Sequence, residues 1–293
     1  MVNKRKLNGV SLFDVVNCII MILLAIITLY PFWYIISVSL TGYSEYISTK
    51  FLLYPKGITF DAYSVILKEA SLYRSFFLTV SVVVLYVFLH VMMCLITAYP
   101  LSKKYLPGRN FMLAIVVIPM VFSGGMIPLY LVVKSLGLMN KYAILILMGM
   151  FSAYNTVLMK NFMTQIPDAL EEAAKIDGAN DYYILFRIYI PMSMPIIATI
   201  ALFAAVGKWN DYTTALYYIS KENLYPIQNV LRSMLVENSI DTVSGGFGQA
   251  DAFKLQTSAK MAAVVVATIP VVAVYPFVQK YFVKGIMLGS VKG

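Results

Sequence analysis

Six apolar runs, each about as long as a bilayer is thick, constrain this chain more than any other feature. They cover about Val15–Ser39, Phe76–Tyr99, Phe111–Val133, Tyr142–Phe162, Ile188–Trp209 and Ala259–Phe282. A helix rises about 1.5 Å per residue, so roughly 20 apolar residues cross a hydrocarbon core about 30 Å thick. Strands of a membrane barrel would be about ten residues long and alternate in polarity. Runs such as Ile19–Leu29 and Met261–Thr268 do not alternate. The expected class is all-α: a polytopic membrane protein with six transmembrane helices, forming one transmembrane domain over residues 1–293.

Composition agrees. The chain is 60% hydrophobic and 13% charged, about half the charge of a soluble domain, which excludes a soluble enzyme and a disordered tail. The net charge of +9, on so apolar a chain, points to membrane topology and anionic lipid rather than to nucleic acid. Cys18 and Cys94 both lie inside apolar runs and read as small buried hydrophobes. The first run follows Lys4, Arg5 and Lys6, as a signal peptide would. It is longer than the 7–15 residues typical of such a core and lacks a clear small-residue cleavage site, so it is expected to stay as a span.

Basic residues set the orientation. The tight Ser102–Asn110 turn carries Lys103, Lys104 and Arg109, and short loops weigh most in the positive-inside rule. Both termini are therefore expected in the cytoplasm. Outside lie Thr41–Ser75 and Lys208–Ser258, expected as loops with short helices, one of them near Asn229–Glu237.

The one long cytoplasmic loop, residues 161–187, carries the most information. Pro167 suits a first helical turn, Asp168, Glu171 and Glu172 favour the positive helix end, and Gly178 is a C-terminal stop. The pattern predicts a short helix, about Asp168–Asp177. Leu170, Ala173, Ala174 and Asp177 line one side, and Glu171 and Lys175 form an i,i+4 pair on another. A surface helix lying on lipid headgroups favours Lys, Arg and bulky apolar residues. This one is acidic and alanine-rich, which suits a groove on another protein.

Glu172-Ala173-Ala174, then Gly178, then Ile188-Tyr189-Ile190-Pro191 resembles the EAA-loop signature of permease subunits of ATP-binding-cassette importers, with Ile190 where leucine is usual. Trp209-Asn210-Asp211, the end Lys284–Gly293, and Tyr30-Pro31-Phe32 with Ser37–Leu40 resemble the carbohydrate-uptake branch, in particular maltose-permease G-type subunits. Phe122-Ser123-Gly124-Gly125-Met126-Ile127-Pro128 is similar to members that handle complex oligosaccharides. The resemblance implies a type I importer permease fold, with a five-helix core over about 76–282 and an extra N-terminal span at 15–39. It implies a coupling helix docked on a cytoplasmic ATPase dimer, with Glu171, Glu172, Ala173, Ala174, Asp177 and Gly178 at the contact. It also implies a second, non-identical permease subunit, an extracellular solute-binding protein, and ATP and Mg on the ATPase rather than on this chain. The tail after Phe282 is expected to meet the ATPase as well. The outer-loop residues Gly245, Gly246, Phe247 and Gly248 occupy a position similar to the loop that enters the binding protein in the maltose system.

Other chemistry is weakly supported. There is no GxxxxGK[ST] phosphate loop, so no ATP hydrolysis is expected here. His90 and Cys94, four apart, lack a third metal ligand, and His90 is expected to be hydrogen-bonded within the bundle. Sugars stack on aromatics and bond to amides and hydroxyls, which makes Tyr86, Asn155, Trp209, Asn210 and Tyr212 candidate contacts. Packing or interface anchoring explains the same residues. The alternative function is an ion-coupled secondary transporter or channel for a small neutral solute. Such carriers bury ionisable groups mid-membrane, whereas here Lys160, Lys208, Lys260 and Lys280 fall at run ends.

Overall fold

Proline and glycine decide where the apolar runs become straight helices and where they break. The computed structural model describes residues 12–42, 45–46, 52–236 and 257–273. The chain divides into two compact units, Met1–Glu69 with Asn238–Val266, and Ala70–Glu237 with Ala267–Gly293.

In the first unit, α1 (Leu12–Leu40) is one helix, apolar on every side. Ile20, Leu24, Ile27 and Cys18 on it are exposed, as a lipid-facing helix requires. The expectation that Cys18 is buried is therefore corrected; an all-apolar helix has no inward face to hide it. After α1, Thr41 bridges Ile58, and α2 (Asp61–Ile66) sets the Tyr63 hydroxyl 2.7 Å from the Ser39 hydroxyl.

The second unit is organised by α3 (Ala70–Ser102), 33 residues long. The third run is not one helix. It forms α4 (Arg109–Val121) and α5 (Met126–Ser135), bent by 113° at Gly124 and Gly125, the latter with φ +84°. Pro119 lies inside α4 and Pro128 in the first turn of α5. The fourth run splits into α6 (Tyr142–Leu147) and α7 (Ala153–Met163), with Gly149 at φ +77° between them. The fifth becomes α9 (Asp181–Met192), containing a π-helical turn at Leu185–Tyr189, and α10 (Met194–Trp209), bent by 78°. Pro191 and Pro195 flank that bend, each removing a backbone N–H and crowding the preceding turn. Among the described residues, α1 and α3 are long and apolar enough to cross a membrane singly, and the two bent pairs qualify only if each counts as one span. The third, fourth and fifth runs are thus interrupted within their length, which hydropathy does not register.

α11 (Thr213–Tyr218) follows, then α12 (Ile227–Val236), close to the outer-loop helix expected at Asn229–Glu237. The buried Ile227 N–H donates to Thr79 Oγ1 on α3 at 2.8 Å. The last described helix is α13 (Thr257–Ala273), where Ala259, Ala263 and Ala267 are buried, as a small-residue packing face requires. Two apolar clusters share α3. One gathers Val82, Tyr86, Ile144, Leu145 and Ala204; the other gathers Cys94, Tyr99, Met159, Ile184 and Tyr189.

Candidate functional site

The loop after α7 folds as its residues dictate. Pro167, extended at φ −59° and ψ 129°, precedes α8 (Asp168–Ile176), and Asp177 ends it. Gly178 then takes φ +82°, a conformation that costs glycine little. The Ala179 N–H reaches back to Ala174 O at 2.9 Å and the Gly178 N–H to Lys175 O at 3.1 Å, so the last turn's carbonyls are satisfied. Asn180 Oδ1 accepts the Tyr183 N–H at 2.8 Å and starts α9.

One side of α8 is locked. Glu171 is only 5% exposed, and its carboxylate accepts from Lys103 Nζ, Lys175 Nζ at 2.7 Å, Tyr105 Oη at 3.0 Å and Tyr189 Oη at 3.0 Å. The Lys103 ammonium lies 4.4 Å from the Tyr99 ring centroid and 3.6 Å from that of Tyr189. Burial pushes the Glu171 carboxyl up, but the bonds from Lys103 and Lys175 and the Lys103 charge outweigh it and hold it at about 2. The bond to Glu171 raises Lys175 above its ordinary value. A buried carboxylate is tolerable only when paired and fully bonded, and this one is.

The other side of α8 is free. Leu170, Glu172, Ala173, Ile176 and Asp177 are exposed and Ala174 half-buried; Ile176 is 87% exposed. A cavity of about 380 Å3 lined by Ala174, Asp177, Gly178, Ala179, Asn180 and Tyr183 adjoins the helix end.

A second constellation lies at the α6–α7 break. Three consecutive carbonyls freed there are each taken by a side chain: Met148 O by Lys208 Nζ at 3.3 Å, Gly149 O by Tyr86 Oη at 2.7 Å, and Met150 O by His90 Nδ1 at 2.8 Å. A carbonyl only accepts, so Nδ1 carries a proton, and Nε2 accepts from Asn155 Nδ2 at 2.9 Å. Lys208 also pairs with Asp211 at 2.8 Å. A cavity of about 410 Å3 opens beside the break, lined by Tyr86, Met148, Gly149, Ala204, Gly207, Lys208, Asp211, Thr213 and Thr214.

Residues 10–288 match the model of the binding-protein-dependent transport system inner membrane component family. The chain belongs to this family. It is a multi-pass inner-membrane permease, not an enzyme, and works with a solute-binding protein; membership displaces the carrier alternative. Protein LplC of Bacillus subtilis (strain 168) is 42% identical over 96% of this chain and 95% of its own. The polygalacturonan/rhamnogalacturonan transport system permease protein YtcP of the same organism is 44% identical over 96% and 99%. A chain of the solved bacterial ABC transporter for import of the acidic polysaccharide alginate superposes with TM-score 0.86 at 32% identity, over 94% of the permease and 99% of that chain.

Within the permease, Glu171, Glu172, Ala173, Ala174, Asp177 and Gly178 come together on α8 and its terminus, with Glu171 facing inward and the others outward or half-covered. Tyr86 lines the cavity at the break, and Asn155 stands behind it on His90. Trp209 is buried, bonded to Ala267 O at 3.2 Å and edge-on to Phe76. Asn210 caps back to Val206 O, and Tyr212 holds Asn229 through its carbonyl and lies under Arg232. Gly245, Gly246, Phe247 and Gly248, and the tail after Phe282, lie outside the described residues. Sequence reasoning passed over Lys103, Tyr105 and Tyr189 as partners of Glu171. No local signal set which of the two adjacent acids turns inward, since neighbouring helical positions about 100° apart can both face solvent. Lys208, expected at a run's end, is the penultimate residue of α10, and its ammonium lies 4.9 Å from the Tyr86 ring centroid.

Proposed function

We propose that the permease is one of two non-identical membrane subunits of an ATP-driven oligosaccharide importer, and that α8 is the lever on which a cytoplasmic ATPase dimer acts. One observation carries this reading: Glu171 pins α8 from within while Leu170, Glu172, Ala173 and Ile176 are left bare. A helix held rigidly on one side and empty on the other transmits a push from a docked partner to the helices behind it. Glu172 is its anionic contact, Ala173 and Ala174 its close-approach surface, and Gly178 the turn back to the membrane. ATP and Mg reside on the ATPase.

In this reading both termini are cytoplasmic, residues 161–187 form the coupling loop, and the core of about 76–282 stands behind the extra span at 15–39. Bilayer lipid covers the bare apolar sides of α1, the outer loop with Gly245–Gly248 meets the binding protein, and nucleic acid has no part. The cargo is an acidic, uronate-bearing oligosaccharide. Support comes from the YtcP likeness over nearly the full length and from the alginate importer.

Reconstitution of the four-part importer in proteoliposomes tests this. ATP-dependent uptake of galacturonate oligomers is expected, with Glu172→Ala abolishing uptake while the complex still assembles in the membrane. Uptake driven by a proton gradient without ATP, or normal coupled uptake by Glu172→Ala, would overturn it.

A further inference from the structure

Lys208 is a buried ammonium at the end of α10, paired with Asp211 just beyond it. Tyr86 is the midpoint of the 33-residue α3, and the Lys208 ammonium lies against its ring and on Met148 O. A buried charged pair within the bundle of a membrane protein is rare, faces the bundle interior or a wet cavity, and marks a solute path. Broken helices in a membrane bundle are tolerated where their backbone is covered by protein or lines a cavity. Here both conditions meet at one place. The break at Met148–Gly149 and the Lys208–Asp211 pair line the same cavity of about 410 Å3, within the volume range of small-molecule sites.

The bonding is unequal between the partners. Asp211 accepts four bonds: from Lys208 at 2.8 Å, Thr214 Oγ1 at 2.6 Å, Thr214 N–H at 3.0 Å and Thr213 Oγ1 at 3.0 Å. Three of them persist if Lys208 turns away. Lys208, 5% exposed at its side chain, has three donors and one strong acceptor, with a long bond to Met148 O and an aromatic face as the remainder. The ammonium is thus able to take a further acceptor without stranding the carboxylate.

Resting on the acidic cargo proposed above, we infer that this cavity is a cargo subsite in which Lys208 receives a sugar carboxylate, while Asp211 competes for the same ammonium and keeps the hold weak. A transport site must bind strongly enough to admit the solute and weakly enough to release it. An ammonium shared between a fixed internal carboxylate and a passing one meets both needs, and the Tyr86 ring offers an apolar wall beside it.

The complete importer in proteoliposomes gives the test, using galacturonate oligomers and their neutral methyl esters of equal length. Comparing the acid-to-ester uptake ratio between variants cancels the preference of the binding protein. Lys208→Met is expected to lower that ratio about tenfold, the worth of a hydrogen bond to a charged group, and Lys208→Arg to keep it within about threefold. An unchanged ratio, or equal loss of both cargoes, makes Lys208 a structural staple and overturns the subsite. A second measurement does not depend on the cargo. A Cβ at Gly207 meets no atom within 4 Å, so Gly207→Cys, in a Cys18→Ala, Cys94→Ala background, reports on the cavity. It is expected to react faster with an anionic than with a cationic thiosulfonate reagent, and Lys208→Met to cut that preference about fivefold. No labelling from water, or no preference, overturns the subsite. If the unaltered importer takes up neither oligomer, the cargo reading fails, and the labelling result still decides whether the cavity is a wet, anion-favouring site.

Discussion

The Tyr189 hydroxyl donates to Glu171 Oε2 across 3.0 Å, joining α8 to the π-helical turn of the helix that follows it. The same carboxylate takes Lys103 from the end of α3 and Tyr105 from the turn beyond. A single side chain therefore ties the short loop helix to both α9 and α3, the helix on which α7 and α10 pack. The ties of α8 thus lead to the centre of the bundle rather than only to its own loop. The π-helical turn is part of the arrangement, since such turns redirect side chains inside otherwise regular helices.

Removing one partner from the knot is expected to cost more than removing both. Glu171→Ala leaves the Lys103 ammonium buried between two tyrosine rings without its counter-charge, a loss of about 3–5 kcal/mol. Glu171→Met combined with Lys103→Met removes the stranded charge and is expected to recover most of it. Thermal unfolding of the purified importer in detergent, followed by tryptophan fluorescence, checks this. A double variant less stable than either single one would refute the account.

The pH dependence follows from the same carboxylate. Its bonds hold Glu171 at about 2, from an ordinary 4.5. A depressed acid stabilises the docked helix above its ordinary range and gives that up as pH falls through the folded value. Lys175, raised by the same bond, contributes at neutral pH and is lost only at strongly alkaline pH. The difference in Tm between the unaltered importer and Glu171→Gln should be flat from about pH 5 to pH 9 and shrink below about pH 4.5.

How much of this was readable from residues alone depends on length scale. Leu12–Leu40 and Ala70–Ser102 follow their apolar runs because nothing inside them opposes a helix strongly enough; Pro31 and Pro100 are both tolerated. Phe111–Val133 and Tyr142–Phe162 are equally apolar, yet break where Gly125 and Gly149 adopt positive φ. Hydropathy sums side chains and is blind to that. Local rules located α8 to within a residue, because an acidic first turn and a terminal glycine act over short distances. The direction Glu171 faces was not local. Apart from Lys175 four positions on, its partners lie 66 to 68 positions earlier in the chain and 18 later, and only the packed fold brings them together.

The free side of α8 should separate coupling from stability. Glu172 is exposed, with no part in the knot around Glu171, so Glu172→Ala is expected to change Tm by no more than about 0.5 kcal/mol equivalent while ATP hydrolysis ceases to respond to loaded binding protein. Gly178→Ala differs. Its φ of +82° strains any side chain, costing about 1–2 kcal/mol, so both Tm and coupling should fall. Measuring ATPase stimulation and Tm on the same preparations distinguishes the two; a Glu172→Ala importer that is destabilised but still coupled would reverse the assignment.

Tyr86→Phe probes the break in the fourth apolar run. The hydroxyl is bonded to Gly149 O at 2.7 Å. Deleting the oxygen leaves the ring, its stack on His90 at 5.4 Å and the cavity wall in place, and takes from Gly149 O its hydroxyl donor. A buried polar group without its partner costs about 1–3 kcal/mol, so Tm should fall by a corresponding amount. Met148 O and Met150 O keep Lys208 and His90, and the break is expected to persist rather than close into helix, because Gly149 still holds φ +77°. Gly149→Ala in the same background should add its own strain, with a new Cβ 3.4 Å from the Tyr86 hydroxyl position that the phenylalanine has vacated. The two losses therefore combine to less than their sum, and a double-mutant cycle on Tm reads the difference. Full additivity would mean that Tyr86 and Gly149 do not act on the same turn of backbone.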